Sequence, residues 1–422
     1  MATFTAEVFQ NEFLPDGGTD VHAVVAVGCT DAGTAGSTST AAEIIIVDSS
    51  GSMSNPSDKI RAARTAAQKA LDEIIDGTLF AVIAGAGRGT VLYPAGDHRM
   101  GVMSSTTREQ AKKAVKDLNP DGGTALGSWL RLATAYFQRS GADQRHAILL
   151  TDGRNEGEQP EQLHAAVTEA KGVFQCDTRG VGEDWDVAEL RYIADALLGT
   201  VDLIAQPEDM EADFEAIIRN AMARGVAEAR LRVWAPQGAQ VLFVRQVAPE
   251  IVDLTARGTR VSDLVQEFPT GAWGDESREF HVAVRVAAKA IGAEQLAARV
   301  QLVVGDEVQA QGLVKASWSD DTALTTRINP AVAHYTGQVE LAENIQAGLA
   351  ARAAGDEATA TNKLGRAVQL AAETGNDDAT NRLRKVVDVE DPATGTVRLR
   401  KDVSKLDEMA LDTRSTKTTR VR

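Results

Sequence analysis

Cysteine is nearly absent: the 422 residues hold only Cys29 and Cys176. Two sulfurs so far apart in the chain make no disulfide framework and have no metal-ligand spacing, so both are read as small core residues. Aromatics are scarce, 5% of the chain, and its cores must therefore be built from Ala, Val, Leu and Ile. No apolar run approaches the ~20 residues needed to cross a bilayer. Positive charge is in deficit, 44 Lys and Arg against 60 Asp and Glu, for a formal net charge of −16. That balance argues against nucleic acid, which needs a basic patch, and against an anionic membrane surface. The N-terminal M-A-T-F-T-A-E-V-F-Q-N-E carries an acid where a secretory signal carries bases, so a cytoplasmic location is expected. The six histidines form no H-E-x-x-H, and neither G-x-x-x-x-G-K-[ST] nor G-x-S-x-G occurs.

What is present is the composition of an ordinary globular chain, 43% hydrophobic and 25% charged, of a length that predicts two or three domains. Two alternating runs at 4–10 and 21–27 flank L-P-D-G-G-T and read as strands. The small-residue stretch at 31–41 reads as a flexible junction. From 41 to 225 apolar strands (42–47, 78–84, 90–93, 145–150, 173–178, 201–205) alternate with amphipathic helices (59–75, 107–118, 125–137, 161–170, 187–198, 210–223). This is the pattern of an α/β, doubly wound, mostly parallel sheet covered on both faces. G-A-G-R-G-T at 85–90 lacks nucleotide-loop spacing and reads as the turn between the strands at 78–84 and 90–93.

Over 226–328 the period changes to two, predicting an antiparallel β-sandwich that the strands of 1–40 join. The α/β domain is then an insertion. A helical hairpin is expected over 329–388, its helices stopping at Gly355 and Gly375, with Asp356 capping the second and a short third helix at 378–387. Residues 389–422, rich in Thr, Arg and Lys, read as a flexible tail.

One constellation carries chemistry. The strand I-I-I-V ends in D-S-S-G-S, which places Asp48, Ser50 and Ser52 on one loop, with Gly51 permitting a sharp backbone path. Carboxylate and hydroxyl oxygens are hard ligands of the kind Mg²⁺ prefers, and one loop cannot complete its octahedron. Thr124 in D-G-G-T-A-L-G and Asp152 in L-L-T-D-G stand at other loops where strands end or helices begin. The carboxyl ends of strands in such a sheet converge, so five oxygen-bearing residues can share one ion. Helix capping by Asp48 or Ser50, or a turn organised by Asp152, is the simpler reading of any one of them alone.

Taken together, D-S-S-G-S, G-G-T-A-L-G and L-L-T-D-G resemble the three parts of a von Willebrand factor type A (VWA) domain over about 42–225. The resemblance implies a Rossmann-like fold and a metal-ion-dependent adhesion site formed by Asp48, Ser50, Ser52, Thr124 and Asp152. It further implies Mg²⁺ (or Mn²⁺ or Ca²⁺), with an exposed Asp or Glu of a partner protein taking the open coordination position. The flanking sandwich and helices look like bacterial intracellular members of the family, some of which are associated with kinase signalling. The implied function is a non-enzymatic interaction module. The alternatives are an adaptor or chaperone for an ATPase complex and a metal-assisted phosphohydrolase. The resemblance also suggests a phosphothreonine reader for Thr413, Thr416, Thr418 and Thr419. Trp129 is read as core, Trp185 as core with the binding rim as the alternative, and His146 as structural.

Overall fold

The computed structural model describes residues 2–33, 40–55, 57–96 and 99–421, so most of the junction expected at 31–41 lies outside the described residues. The chain divides into two compact units, Gly33–Ala227 and a second made of Met1–Ala32 with Glu228–Arg422.

The Gly33–Ala227 unit is built on one sheet in the order Val201–Ile204, Gln175–Val181, Gln144–Thr151, Ala41–Asp48, Leu79–Gly85, Gly89–Tyr93. The first five strands run parallel. Gly89–Tyr93 and the short Gly101–Val102 lie antiparallel to Leu79–Gly85, so A-G-A-G-R-G-T is the hairpin expected there. Ile44, Ile45, Ile46 and Val47 have no exposed surface, as a strand covered on both faces requires. On one face Ile45 and Val47 pack with residues of the helices Asp58–Glu73, Ser105–Lys116 and Met210–Met222. Ala63, Ala66, Ala67 and Ala70 line the buried side of the first helix, and their small side chains let it approach closely where aromatics are few. Leu126–Ser140, Pro160–Ala170 and Val187–Ala196 form the other helical layer.

The second unit is a sandwich of two sheets. Thr3–Gln10, Asp20–Thr30, Glu276–Arg285, Gln240–Ala248 and Val252–Asp253 form one, antiparallel throughout. Thr259–Ser262, Val265–Trp273, Val226–Trp234, Glu294–Val304, Glu307–Trp318 and Phe13–Leu14 form the other. Phe4 of the first meets Trp273 of the second edge-on with ring centroids 5.7 Å apart, and the Arg278 guanidinium covers Trp273 at 4.3 Å.

Three helices follow, Pro330–Ala353, Glu357–Glu373 and Asp377–Val386. Gly355 and Gly375 take left-handed φ of +77° and +64°, and Asp356 accepts from Thr359 N at 3.0 Å, the punctuation the glycines and the aspartate predict.

The flexible tail expected at 389–422 is a correction. The strand pair Val387–Asp391 and Thr396–Leu399 and the helix Lys405–Thr413 occupy it. Its few apolar residues are placed at the right periods: Val397 and Leu411, with Val387 just before the stretch, are buried in one cluster with Leu364 and Leu383. The last residues lie along the sandwich, where the Lys417 backbone forms an antiparallel β-bridge with Glu250 and Thr418 Oγ1 donates to Val247 O at 2.7 Å. Thr413 is buried with its hydroxyl on Met409 O, and Thr419 Oγ1 accepts from Gln338 at 3.0 Å. A phosphothreonine reader would therefore need these hydroxyls released first. Among the described residues no helix is long and apolar enough to cross a membrane.

Candidate metal centre

Asp48 is the last residue of the central strand, and Asp152 follows its parallel neighbour Gln144–Thr151, in which Leu150 pairs with Val47. From the central strand the chain moves first to Leu79–Gly85 on one side and later to Gln144–Thr151 on the other. Such a divergence opens a crevice at the carboxyl ends of the strands. The loop leaving Asp48 enters the single turn Gly51–Ser54 and is tied to its neighbours through backbone atoms. Ser49 N donates to Gly85 O at 2.6 Å, Asp121 N to Ser49 O at 2.7 Å, and Gly51 N to Gly122 O at 2.9 Å. The glycine-rich loop carrying Thr124 is thereby held beside D-S-S-G-S.

The side chains converge within this frame. Asp48 Oδ1 accepts from Ser50 N at 2.7 Å and Oδ2 from Thr151 Oγ1 at 2.5 Å. The Ser50 and Ser52 hydroxyl oxygens are 2.9 Å apart, and Ser52 Oγ donates to Asp152 Oδ1 at 2.6 Å. Thr124 faces the same spot: a Cβ on Gly153 would lie 3.2 Å from Thr124 Oγ1 and 3.5 Å from Ser52 Oγ, so glycine leaves that space open. Asp48, Ser50, Thr124 and Asp152 are buried, whereas Ser52 is exposed and marks the mouth of the cluster. Burial pushes the Asp48 carboxyl up to about 6 against the hydrogen bonds from Ser50 and Thr151, and the nearby Asp152 charge adds to the rise.

Two carboxylates and three hydroxyls from three loops form an all-oxygen donor set, which fits a hard cation such as Mg²⁺, Mn²⁺ or Ca²⁺. Among the described residues no group of three or more His, Cys, Asp and Glu side chains is arranged to hold a metal.

Two participants escape the sequence pattern. Thr151 anchors Asp48, and Lys59 Nζ lies 2.8 Å from Asp152 Oδ2, with the lysine side chain only 11% exposed and the aspartate fully buried. Trp185 belongs to the core: it is 2% exposed, its Nε1 donates to Gly182 O at 2.9 Å, and its ring fills the space that Gly180 leaves by lacking a side chain. Trp129 is equally buried, with Nε1 on Ala86 O at 2.7 Å. Both cysteines are free and buried.

His146 lies five residues before the end of its strand, remote from the oxygen cluster, and is buried between two carboxylates. Nδ1 meets Glu43 Oε1 at 2.8 Å and Nε2 meets Asp177 Oδ2 at 2.9 Å, while Thr200 N and Oγ1 donate to Asp177 Oδ1. Burial opposes a charged ring, yet the two acids outweigh it and raise His146 to about 9. Burial pushes the Glu43 carboxyl up despite the imidazolium. Asp177 is held well below the usual carboxylate range, because its bonds and charge pairing with His146 and Arg179 override its burial.

A family profile described as von Willebrand factor type A domain matches residues 42–203, and one described as von Willebrand factor type A C-terminal domain matches 369–415. The second match spans much of the stretch in which a flexible tail was expected. Over its whole length the chain is similar to a solved von Willebrand factor type A protein from Catenulispora acidiphila. The two are 46% identical with a TM-score of 0.95, and the alignment covers 99% of this chain and 97% of that one. The ArnB paralog VWA2 from Sulfolobus acidocaldarius shares the fold at 16% identity and a TM-score of 0.58, covering 97% of each chain. No curated protein sequence matches. With this identity sustained across both units, the chain belongs to the von Willebrand factor type A family.

Proposed function

We propose that the protein is a metal-dependent, non-enzymatic interaction module. Asp48, Ser50, Ser52, Thr124 and Asp152 hold a divalent ion, Mg²⁺ by donor chemistry, and an exposed Asp or Glu of a partner protein completes its coordination. The observation that carries this reading is the run of oxygen contacts from Ser50 through Ser52 to Asp152, 2.9 and 2.6 Å long, at the crevice beside Thr124. The ion would supply a positive centre that neutral hydroxyls do not quench, and Ser52, the exposed donor, marks the side from which a partner would reach it. Because the chain carries a net charge of −16, an acidic partner is repelled at long range, and recognition depends on the local contact with little steering. A hydrolytic role finds less support. Both carboxylates at the site already accept hydrogen bonds, and His146 is sealed off along the strand.

The test is affinity capture from native lysate in three arms: wild type with Mg²⁺, wild type with EDTA, and Asp48→Ala with Mg²⁺. A partner captured only in the first arm, and lost again when its acidic residue is replaced, supports the reading. The same partners in all three arms overturn it.

A further inference from the structure

The lysine in the first turn of Asp58–Glu73 is placed unusually for a residue of its type. Lysine is almost never buried unless it is paired, and on an amphipathic helix it belongs on the solvated side. Lys59 instead turns inward. Side chains in a first helical turn lean toward the helix N-terminus, and here the segment N-terminal to the helix is the loop D-S-S-G-S. Its stem passes beside Gly182, where a Cβ would stand 3.9 Å from Lys59 Cε, and its ammonium ends 2.8 Å from Asp152 Oδ2. The other oxygen of that carboxylate accepts from Ser52. Asp152 is therefore engaged on both oxygens, by a hydroxyl of the oxygen cluster on one and by a cation of the protein's own on the other.

We propose that Lys59 is the resident counter-cation of this site: it holds Asp152 in place when no metal is bound, and it sets both the strength of divalent binding and the sign of charge the loaded site presents. The inference rests on reading the five oxygens as a metal site. Two carboxylates and one ammonium leave the metal-free cluster with a single negative charge, and a divalent ion brings it to a single positive charge. Without Lys59 the same loading would end neutral. The lysine thus weakens the hold on the metal and in return keeps the loaded site electropositive, which selects an anionic ligand over a neutral one.

The experiment is calorimetric titration of Mg²⁺ into the full chain as wild type, Lys59→Met, Lys59→Arg and the double variant Ser50→Ala with Ser52→Ala, each checked by circular dichroism with and without Mg²⁺. Lys59→Met is expected to bind Mg²⁺ at least about ten-fold more tightly, the direction and order that follow from removing a unit charge close to a divalent ion in a protein environment. Lys59→Arg, which keeps the charge, is expected to bind as wild type does, and the double-serine variant to lose binding. A merely structural lysine would not produce a gain of affinity. Should Lys59→Met fold only when Mg²⁺ is present, the ion is replacing the ammonium on Asp152, which supports the proposal. Unchanged or weaker binding by Lys59→Met, or a variant unfolded with and without Mg²⁺, overturns it. If wild type binds and Lys59→Met binds equally, this proposal alone fails. If neither binds, the metal reading fails and takes it along.

Discussion

The buried His146 makes a prediction about pH that can be worked through from its surroundings. An imidazolium raised from 6.5 to about 9 by Glu43 and Asp177 binds its proton far more tightly in the folded chain than in the unfolded one. At about 1.4 kcal/mol for each tenfold change in proton affinity, the difference amounts to roughly 3 kcal/mol of stability. The sign follows from the raised value. Below pH 6.5 the ring is charged in both states and the contribution is complete. Between 6.5 and 9 the unfolded chain has released its proton while the folded chain retains it, so stability falls steadily. Above 9 the contribution is gone. The assay is urea unfolding at intervals from pH 6 to 9.5, followed by hydrogen exchange of the strand Gln144–Thr151 after correction for intrinsic rates. The reference is the uncharged triple variant Glu43→Gln, His146→Leu, Asp177→Asn. Wild type is expected to lose about 3 kcal/mol relative to the variant across that window. The absolute stabilities are not the test, because an apolar replacement of a buried ionic cluster is often neutral or stabilising. Parallel curves for the two proteins would refute the reasoning, since the imidazolium would then not be the charged species assigned here.

Two further outcomes follow from packing. Gly180→Ala places a methyl group inside the Trp185 ring and should lower unfolding stability by about 1–3 kcal/mol, whereas Gly77→Ala, with open space around its Cβ but a positive φ, reports backbone strain alone. Ending the chain at Thr413 removes the hydrogen bonds of Thr418 to Val247 and of Thr419 to His334 and Gln338, and strips cover from Tyr335, which is fully buried. Denaturant unfolding of the sandwich unit should then be easier by about 2–4 kcal/mol; an unchanged midpoint would mean that the terminal segment adds nothing to it.

The central strand and its loop were legible because each donor sits where the apolar pattern stops: I-I-I-V announces a strand covered on both faces, and Asp48 marks its carboxyl end. Thr124 and Asp152 could be read the same way, each beside glycine at the border of an element. Lys59 could not. A lysine in a first helical turn looks like a solvated residue, and only the fold shows that the turn faces the crevice. His146 was readable as structural, but its acids were not, since meeting Glu43 and Asp177 depends on the register of three parallel strands distant in sequence. Trp185, set among acids in V-G-E-D-W-D, kept a rim open as the alternative to the core because charge dominates its neighbours; the gap at Gly180 decides for the core. The C-terminal stretch misled for the opposite reason. Its composition is that of a solvated tail, and the few apolar residues that bury it count for more than the many polar ones around them.

The loop that leaves Asp48 is tied to its neighbours by main-chain bonds with Gly85, Asp121 and Gly122, none of which involves the hydroxyls that would meet an ion, while the Asp48 carboxylate helps to shape it by accepting from Ser50 N. At the serine donors, form and chemistry are therefore separable. Exchange of Ser50 or Ser52, whose hydroxyls meet each other and Asp152, is expected to leave the path of the chain in place, whereas Thr151, which anchors Asp48, is not free in this way. Single replacements among the serine hydroxyls would thus alter what the crevice can hold while leaving its contour in place.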